Sequence, residues 1–276
     1  MKPLRAEGKS ACGGSLVAFF LWGVLFGIFG CAPHAARPIV LSETPSSRAR
    51  GPEELVVNLA QRARQLQSLR SLAKVYYWGT DGRGAFQEAV LVRRPDRLRL
   101  ETLSPLGATL IVTADGNEVI GFHPREALFF RGRSSKENLL RYTQIPLELE
   151  EVTALLMGLP PVNLQSGWGA QGDSIYRDTG EGRRETIAFD PVLGVPVKWE
   201  RSGRDGDIEL SALFSDFFPT PAGPFPLKIS LEAHPQEIRV EIHYQEPEVN
   251  VTLPFPLFVQ ERPGNARELP LESLGG

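Results

Sequence analysis

The chain has 276 residues and a formal net charge of −3, with 30 Lys and Arg residues against 33 Asp and Glu residues. A mildly acidic chain without a concentrated basic segment lacks the electrostatic footprint of a nucleic-acid-binding protein. Its two cysteines, Cys12 and Cys31, both lie near the N-terminus. The remainder of the chain therefore has no disulfide framework, zinc-cysteine cluster or thiol nucleophile.

An apolar run over residues 16–30 follows a basic start and ends at Cys31. This order is typical of a secretory signal peptide, and residues 28–31 resemble the bacterial lipobox, in which the cysteine is acylated after cleavage. We predict a lipoprotein signal peptide over 1–30, a lipidated Cys31, and a place in the cell envelope on the periplasmic side of the outer membrane. The alternative is an uncleaved anchor, although the run is just shorter than the roughly 17–25 residues of a comfortable span.

Residues 31–54 are rich in Pro, Ser, Ala and Arg. This composition predicts a flexible tether that follows the lipidated cysteine. No second linker of this kind interrupts residues 55–276, so they are expected to form a single domain.

A helical pattern begins at Pro52, with apolar residues recurring at spacings of three and four as far as Leu69. Proline suits the first turn of a helix, where its missing N–H is not needed. The pattern predicts an amphipathic helix of about five turns.

Apolar and polar residues then alternate with a period of two, for example over 97–101, 227–232 and 238–244. Such alternation is typical of antiparallel strands with one apolar and one wet face. Only Ser135–Tyr142 and Glu148–Met157 break the pattern, and both indicate short helices. We predict a mainly β (α+β) fold: a curved antiparallel sheet forming a half-open barrel of about eleven strands, with an N-terminal helix and two short lid helices. A two-sheet sandwich is the alternative.

Motifs for covalent chemistry are missing from the sequence. It contains no nucleophile elbow, P-loop or dinucleotide-binding glycine pattern, and its four histidines show no metal spacing. We therefore expect no catalytic site, no metal and no cofactor, and a protein that is not an enzyme. A curled sheet with an apolar face would instead bind an apolar ligand.

Ser104-Pro105-Leu106-Gly107 is a tight turn between two strand patterns, with Leu106 at its tip. Turn tips normally carry polar residues. An exposed leucine at this position would be available to a lipid or a partner.

This turn, together with Ile145-Pro146-Leu147 and the run Leu155–Pro160 in the same order, resembles the LolA/LolB lipoprotein-localisation family, and within it the LolB-like receptors. The resemblance implies a curved sheet with a helical lid around an apolar cavity for lipoprotein acyl chains. It also implies a membrane-delivery loop formed by Pro105, Leu106 and Gly107, and a LolA-like periplasmic carrier as a possible partner.

Strand and helix alternation supply candidate residues for the lining of that cavity. They are Leu98, Leu100, Leu110, Val112, Phe129, Leu155 and Leu156. The function expected is a lipid-anchored lipoprotein that binds acyl chains of lipoproteins or other lipids and helps to localise lipoproteins to the outer membrane. The alternative is a non-transferring envelope lipoprotein that uses the same fold as a scaffold or stress sensor.

Overall fold

The structure is a computed structural model that describes residues 51–143, 145–164 and 167–273. The predicted signal peptide, Cys31 and the tether up to residue 50 lie outside the described residues. The described residues fall within one compact unit, Pro45–Gly276, and form a large hydrophobic core, so we expect this unit to fold on its own. No helix within the described ranges is long and apolar enough to cross a membrane.

The described part of the chain has three α-helices: α1 (Pro52–Gln65), α2 (Lys136–Thr143) and α3 (Leu149–Leu156). The two short helices are confirmed within a residue or two of their predicted bounds. α1 has 14 residues and not the predicted five turns, because the backbone is already extended at Leu66 and Leu69 belongs to the following strand. α3 begins with a capping box, in which the side chains of Glu148 and Glu151 bond the first turn.

The fourteen strands found among the described residues form one sheet. In chain order they are β1 (Ser68–Gly79), β2 (Gly82–Arg93), β3 (Arg97–Ser104), β4 (Gly107–Ala114), β5 (Glu118–His123), β6 (Leu128–Arg133), β7 (Gly169–Gln171), β8 (Ser174–Asp178), β9 (Arg184–Phe189), β10 (Pro196–Ser202), β11 (Ile208–Thr220), β12 (Gly223–Ala233), β13 (Ile238–Val249) and β14 (Arg267–Pro270).

The strand order is β14-β6-β5-β4-β3-β2-β1-β13-β12-β11-β10-β9-β8-β7. Two antiparallel meanders are thus joined through β1 and β13, and only β14 pairs in parallel, with β6. The mainly β class and the curved, open sheet are confirmed, and a two-sheet sandwich is not. The predicted number of eleven strands is wrong, because β7, β8 and β14 have only three, five and four residues and are too short to show alternation.

The helices pack on one face of the sheet, which we call the inner face. Leu55 and Leu59 of α1 join the main core, and Arg62 donates a 2.5 Å hydrogen bond to the Pro224 carbonyl of β12. α3 is held by the Tyr244 hydroxyl, which donates to the Leu156 carbonyl at 2.9 Å. These bonds fix both helices over the middle of the sheet.

The C-terminal segment crosses the opposite, outer face. Arg99, at an outer position of β3, donates to the Leu257 carbonyl at 3.1 Å, and Phe258 is buried. The chain then reaches a second apolar cluster and returns as β14 beside β6. The Pro-rich C-terminus is therefore a strap that shields the outer face of β3 to β6.

Candidate functional site

Part of the inner face is only half covered. Several apolar side chains there pack against the core yet remain partly exposed. We call five of them the inner strip: Tyr77, Phe86, Leu100, Leu110 and Val240. Strand register places them on one face, since Tyr77 pairs with Val240, and Leu100 pairs with the buried Val112. The strip runs across β4, β3, β2, β1 and β13.

A polar pair interrupts this apolar surface. Glu88 of β2 pairs across the sheet with Thr102 of β3, and Thr102 pairs with Leu110. Glu88 is only 6% exposed, and the Thr102 hydroxyl donates to its carboxyl oxygens at 3.2 and 3.4 Å. Burial raises the pKa of Glu88 to about 7, against a smaller lowering by the Thr102 hydrogen bond.

Six of the seven predicted lining residues fall into two groups on the inner side of the sheet. Leu98, Val112, Leu155 and Leu156 are almost fully buried in the main core. Leu100 and Leu110 belong to the half-covered inner strip. The α3 leucines therefore close the inner face by packing into it.

The structure does not bring Phe129 together with the other predicted lining residues. Phe129 lies in the separate outer cluster with Ile120 and Ala266. Its neighbour Phe130 joins the main core, because successive side chains of a strand point to opposite faces. Of the two adjacent phenylalanines, Phe130 is the one that faces inward.

The hairpin between β3 and β4 carries the predicted delivery loop at the end of the strip. Leu106 is 87% exposed. Its N–H donates to Ser104 Oγ at 3.2 Å, and that hydroxyl donates to the Gly107 carbonyl at 2.8 Å. Gly107 has φ +105°, a conformation that glycine adopts without strain. The turn thus holds the leucine away from the protein, next to the exposed Pro105.

A buried ionic cluster ties α3 to the C-terminal meander. Arg201 of β10 contacts Glu151 of α3 at 2.5 Å and Glu185 of β9 at 3.2 Å. Glu185 also accepts a bond from Arg177 of β8 at 3.0 Å. The Arg201 and Glu185 side chains are 15% and 6% exposed. This cluster fixes the first turn of α3 over β8, β9 and β10, which lie towards the opposite end of the strand order from β4 and β3.

Two of the cavities formed by the described residues lie away from the inner strip. One, of about 290 Å³, is polar and lies where α2 and α3 begin, beside Asp96 and Glu148. The other, of about 270 Å³, is lined by residues of β10, β11 and β12 that include Lys198 and Glu232. Across the described part of the chain, no group of three or more His, Cys, Asp or Glu residues is placed to hold a metal ion.

Comparison with solved structures identifies the architecture. A Vibrio parahaemolyticus domain described as an outer membrane lipoprotein-sorting protein superposes with a TM-score of 0.51 at 11% identity, over 73% of this chain and 95% of that one. A LolA superfamily protein from Nitrosomonas europaea gives 0.50 at 13% identity, over 77% and 99%. The chain has a LolA-like fold.

A DUF1329 family protein from Desulfovibrio piger is similar to the same extent, with a TM-score of 0.54 at 10% identity over 76% of this chain and 98% of that one. No protein-family model and no curated protein matches the sequence. At such low identities the superpositions establish the fold alone, and the function has to be argued from the site.

Proposed function

We propose that this protein is a lipid-anchored envelope lipoprotein that binds acyl chains along the inner strip and helps to deliver lipoproteins to the outer membrane. It acts by binding and not by covalent chemistry. The observation that carries the proposal is the exposed Leu106, held at the end of a half-covered apolar strip. The LolA-like fold and the lipobox-like residues 28–31 support it.

The physical task explains why such a strip is needed. Each CH₂ group of an acyl chain is stabilised by about 0.8 kcal/mol when it leaves water. The acyl chains of a lipoprotein therefore do not leave a donor membrane or carrier unless another apolar surface receives them. An apolar strip that is open on one side buries acyl chains less completely than a bilayer does. Cargo received from a LolA-like carrier would then pass to the membrane downhill, without ATP at this protein.

Charge in the strip is expected to weaken binding. Leu110→Glu places a carboxylate among half-buried apolar side chains, where an unpaired charge is costly. We expect the affinity for a fluorescent acyl probe to fall about tenfold or more, equivalent to about 1.4 kcal/mol. Fluorescence titration of the unit that begins at Pro45 measures this loss. Leu213→Glu, on the outer face and 47% exposed, is the matched control and should bind as the unchanged protein does.

Charge at the hairpin tip is expected to separate delivery from binding. Leu106→Glu should leave probe affinity unchanged and the free energy of unfolding within about 0.5 kcal/mol, because the side chain makes few contacts. The transfer of an acylated protein to vesicles should slow about tenfold or more, since a carboxylate does not enter the apolar membrane interior. The exposed Val192, changed to Glu in another turn, is the control. Unslowed transfer by Leu106→Glu would remove the delivery role of this loop.

A non-transferring scaffold is the second candidate, and one observation favours it. Leu155 and Leu156 of α3 are 4% and 7% exposed, so the inner face beneath α3 is closed by packed side chains. A scaffold with this fold would bind no acyl probe, and Leu110→Glu would then change nothing in the titration.

A further inference from the structure

Glu88 is a buried ionisable group that acyl packing does not require. Its carboxyl lies in the middle of the inner strip, and Thr102 is its one hydrogen-bond partner among the described residues. No lysine, arginine or histidine of the described chain forms an ion pair with it. A purely apolar ligand would be bound better by a leucine at this position, because a buried polar group needs partners.

We propose that Glu88 and Thr102 bind the ester or amide carbonyl at the head of an acyl chain whose hydrocarbon lies along the inner strip. This inference rests on the proposed function and specifies its ligand. The carboxyl in its protonated form donates its O–H to the ligand carbonyl. Its other oxygen keeps the hydrogen bond from the Thr102 hydroxyl, so all the polar groups at the centre of the strip are paired.

The surroundings raise the pKa of Glu88 to about 7, so both its protonated and its ionised form are present at neutral pH. Burial is the main cause of the raised pKa, and the negative charge of Glu101 on β3 adds to it. Glu101 occupies an outer position and is paired with Arg99 at 2.6 Å.

Other charged groups near Glu88 are paired or distant. On α3, which packs against β2 and β3, Glu151 is paired with Arg201. Burial lowers the pKa of Arg94, and the negative charge of Glu150 partly offsets that lowering. On β1, the residue opposite Glu88 is Ala73, and alanine has no ionisable group. Proton binding by Glu88 is therefore governed mainly by its burial, with smaller effects of Thr102 and Glu101.

The test measures the pH dependence of binding to the unit that begins at Pro45. Three probes of equal chain length are used: methyl laurate, dodecane and dodecyltrimethylammonium. With a pKa of about 7, the protonated fraction falls about tenfold between pH 6 and pH 8. We expect the affinity for methyl laurate to fall about tenfold over this range, whereas the affinity for dodecane stays constant.

Glu88→Gln keeps an N–H donor for the carbonyl and cannot ionise, so its affinity for methyl laurate should not vary with pH. Glu126→Gln, at an exposed position in the turn between β5 and β6, should keep the tenfold fall. A flat profile for the unchanged protein, or a persisting fall in Glu88→Gln, would overturn the inference. So would binding of dodecyltrimethylammonium that tightens as the pH rises, because that indicates an ionised Glu88 with a cationic ligand.

The outcome for the proposed function is read separately. If the unchanged protein binds neither methyl laurate nor dodecane, acyl binding itself fails and this inference fails with it. If both bind with no dependence on Glu88, acyl binding stands and only the carbonyl site is rejected.

Discussion

Arg201→Met is expected to lower the free energy of unfolding by about 3–5 kcal/mol. The change removes the cation between Glu151 and Glu185, of which Glu185 is only 6% exposed. A buried carboxylate that loses its partner must either remain unpaired or take up a proton, and both are costly. Arg177 still contacts Glu185, so the loss should fall in this range and not beyond it.

Urea unfolding at pH 7 measures the loss, and Arg70→Met provides the control. Arg70 contacts a single carboxylate, that of Glu248, through two nitrogens, and its side chain is 54% exposed. Exposed pairs contribute far less to the free energy of unfolding than buried ones do. Equal losses in the two variants would show that burial does not strengthen the Arg201 cluster.

A second measurement locates the effect. Because Glu151 lies in the first turn of α3, its release should raise amide hydrogen exchange in that helix more than in α1. Unchanged exchange in α3, together with a large loss of stability, would mean that the cluster holds β8, β9 and β10 together and does not hold the helix.

Most of the N-terminal half of the fold follows from periodicity. β1 to β6 are between six and twelve residues long, and the helices α2 and α3 stand out because the period changes there. β14 is different, since its four residues pair in parallel with β6. That pairing depends on the strap that crosses the outer face, and no local pattern encodes it.

The site was only partly predictable for a related reason. Leu106 was identifiable because an apolar residue at a turn tip is unusual. The adjacent Phe129 and Phe130 in a six-residue strand do not reveal which of them faces inward. Glu88 was missed because a glutamate within a strand is normally assigned to the wet face. Its place in the alternation Phe86, Glu88, Val90 was the available signal.

Glu88→Gln is expected to make the protein more stable at high pH. Burial raises the pKa of Glu88 from 4.5 to about 7, so the folded state binds its proton more tightly than the unfolded state does. For such a carboxyl the destabilisation is absent below pH 4.5, grows as the pH rises towards 7, and is complete above it. A shift of about 2.5 pH units corresponds to about 3 kcal/mol at most.

Urea unfolding at pH 4.5 and pH 8 tests this expectation in the unit that begins at Pro45. Glu88→Gln and the unchanged protein should be similar at pH 4.5, and at pH 8 the variant should be more stable by up to about 3 kcal/mol. Glu126→Gln should show no such difference. A gain of the same size at both pH values would mean that packing, and not ionisation, separates the two proteins. A gain confined to high pH would show that the protein keeps a destabilising carboxyl on its apolar face, as expected for a group retained for binding.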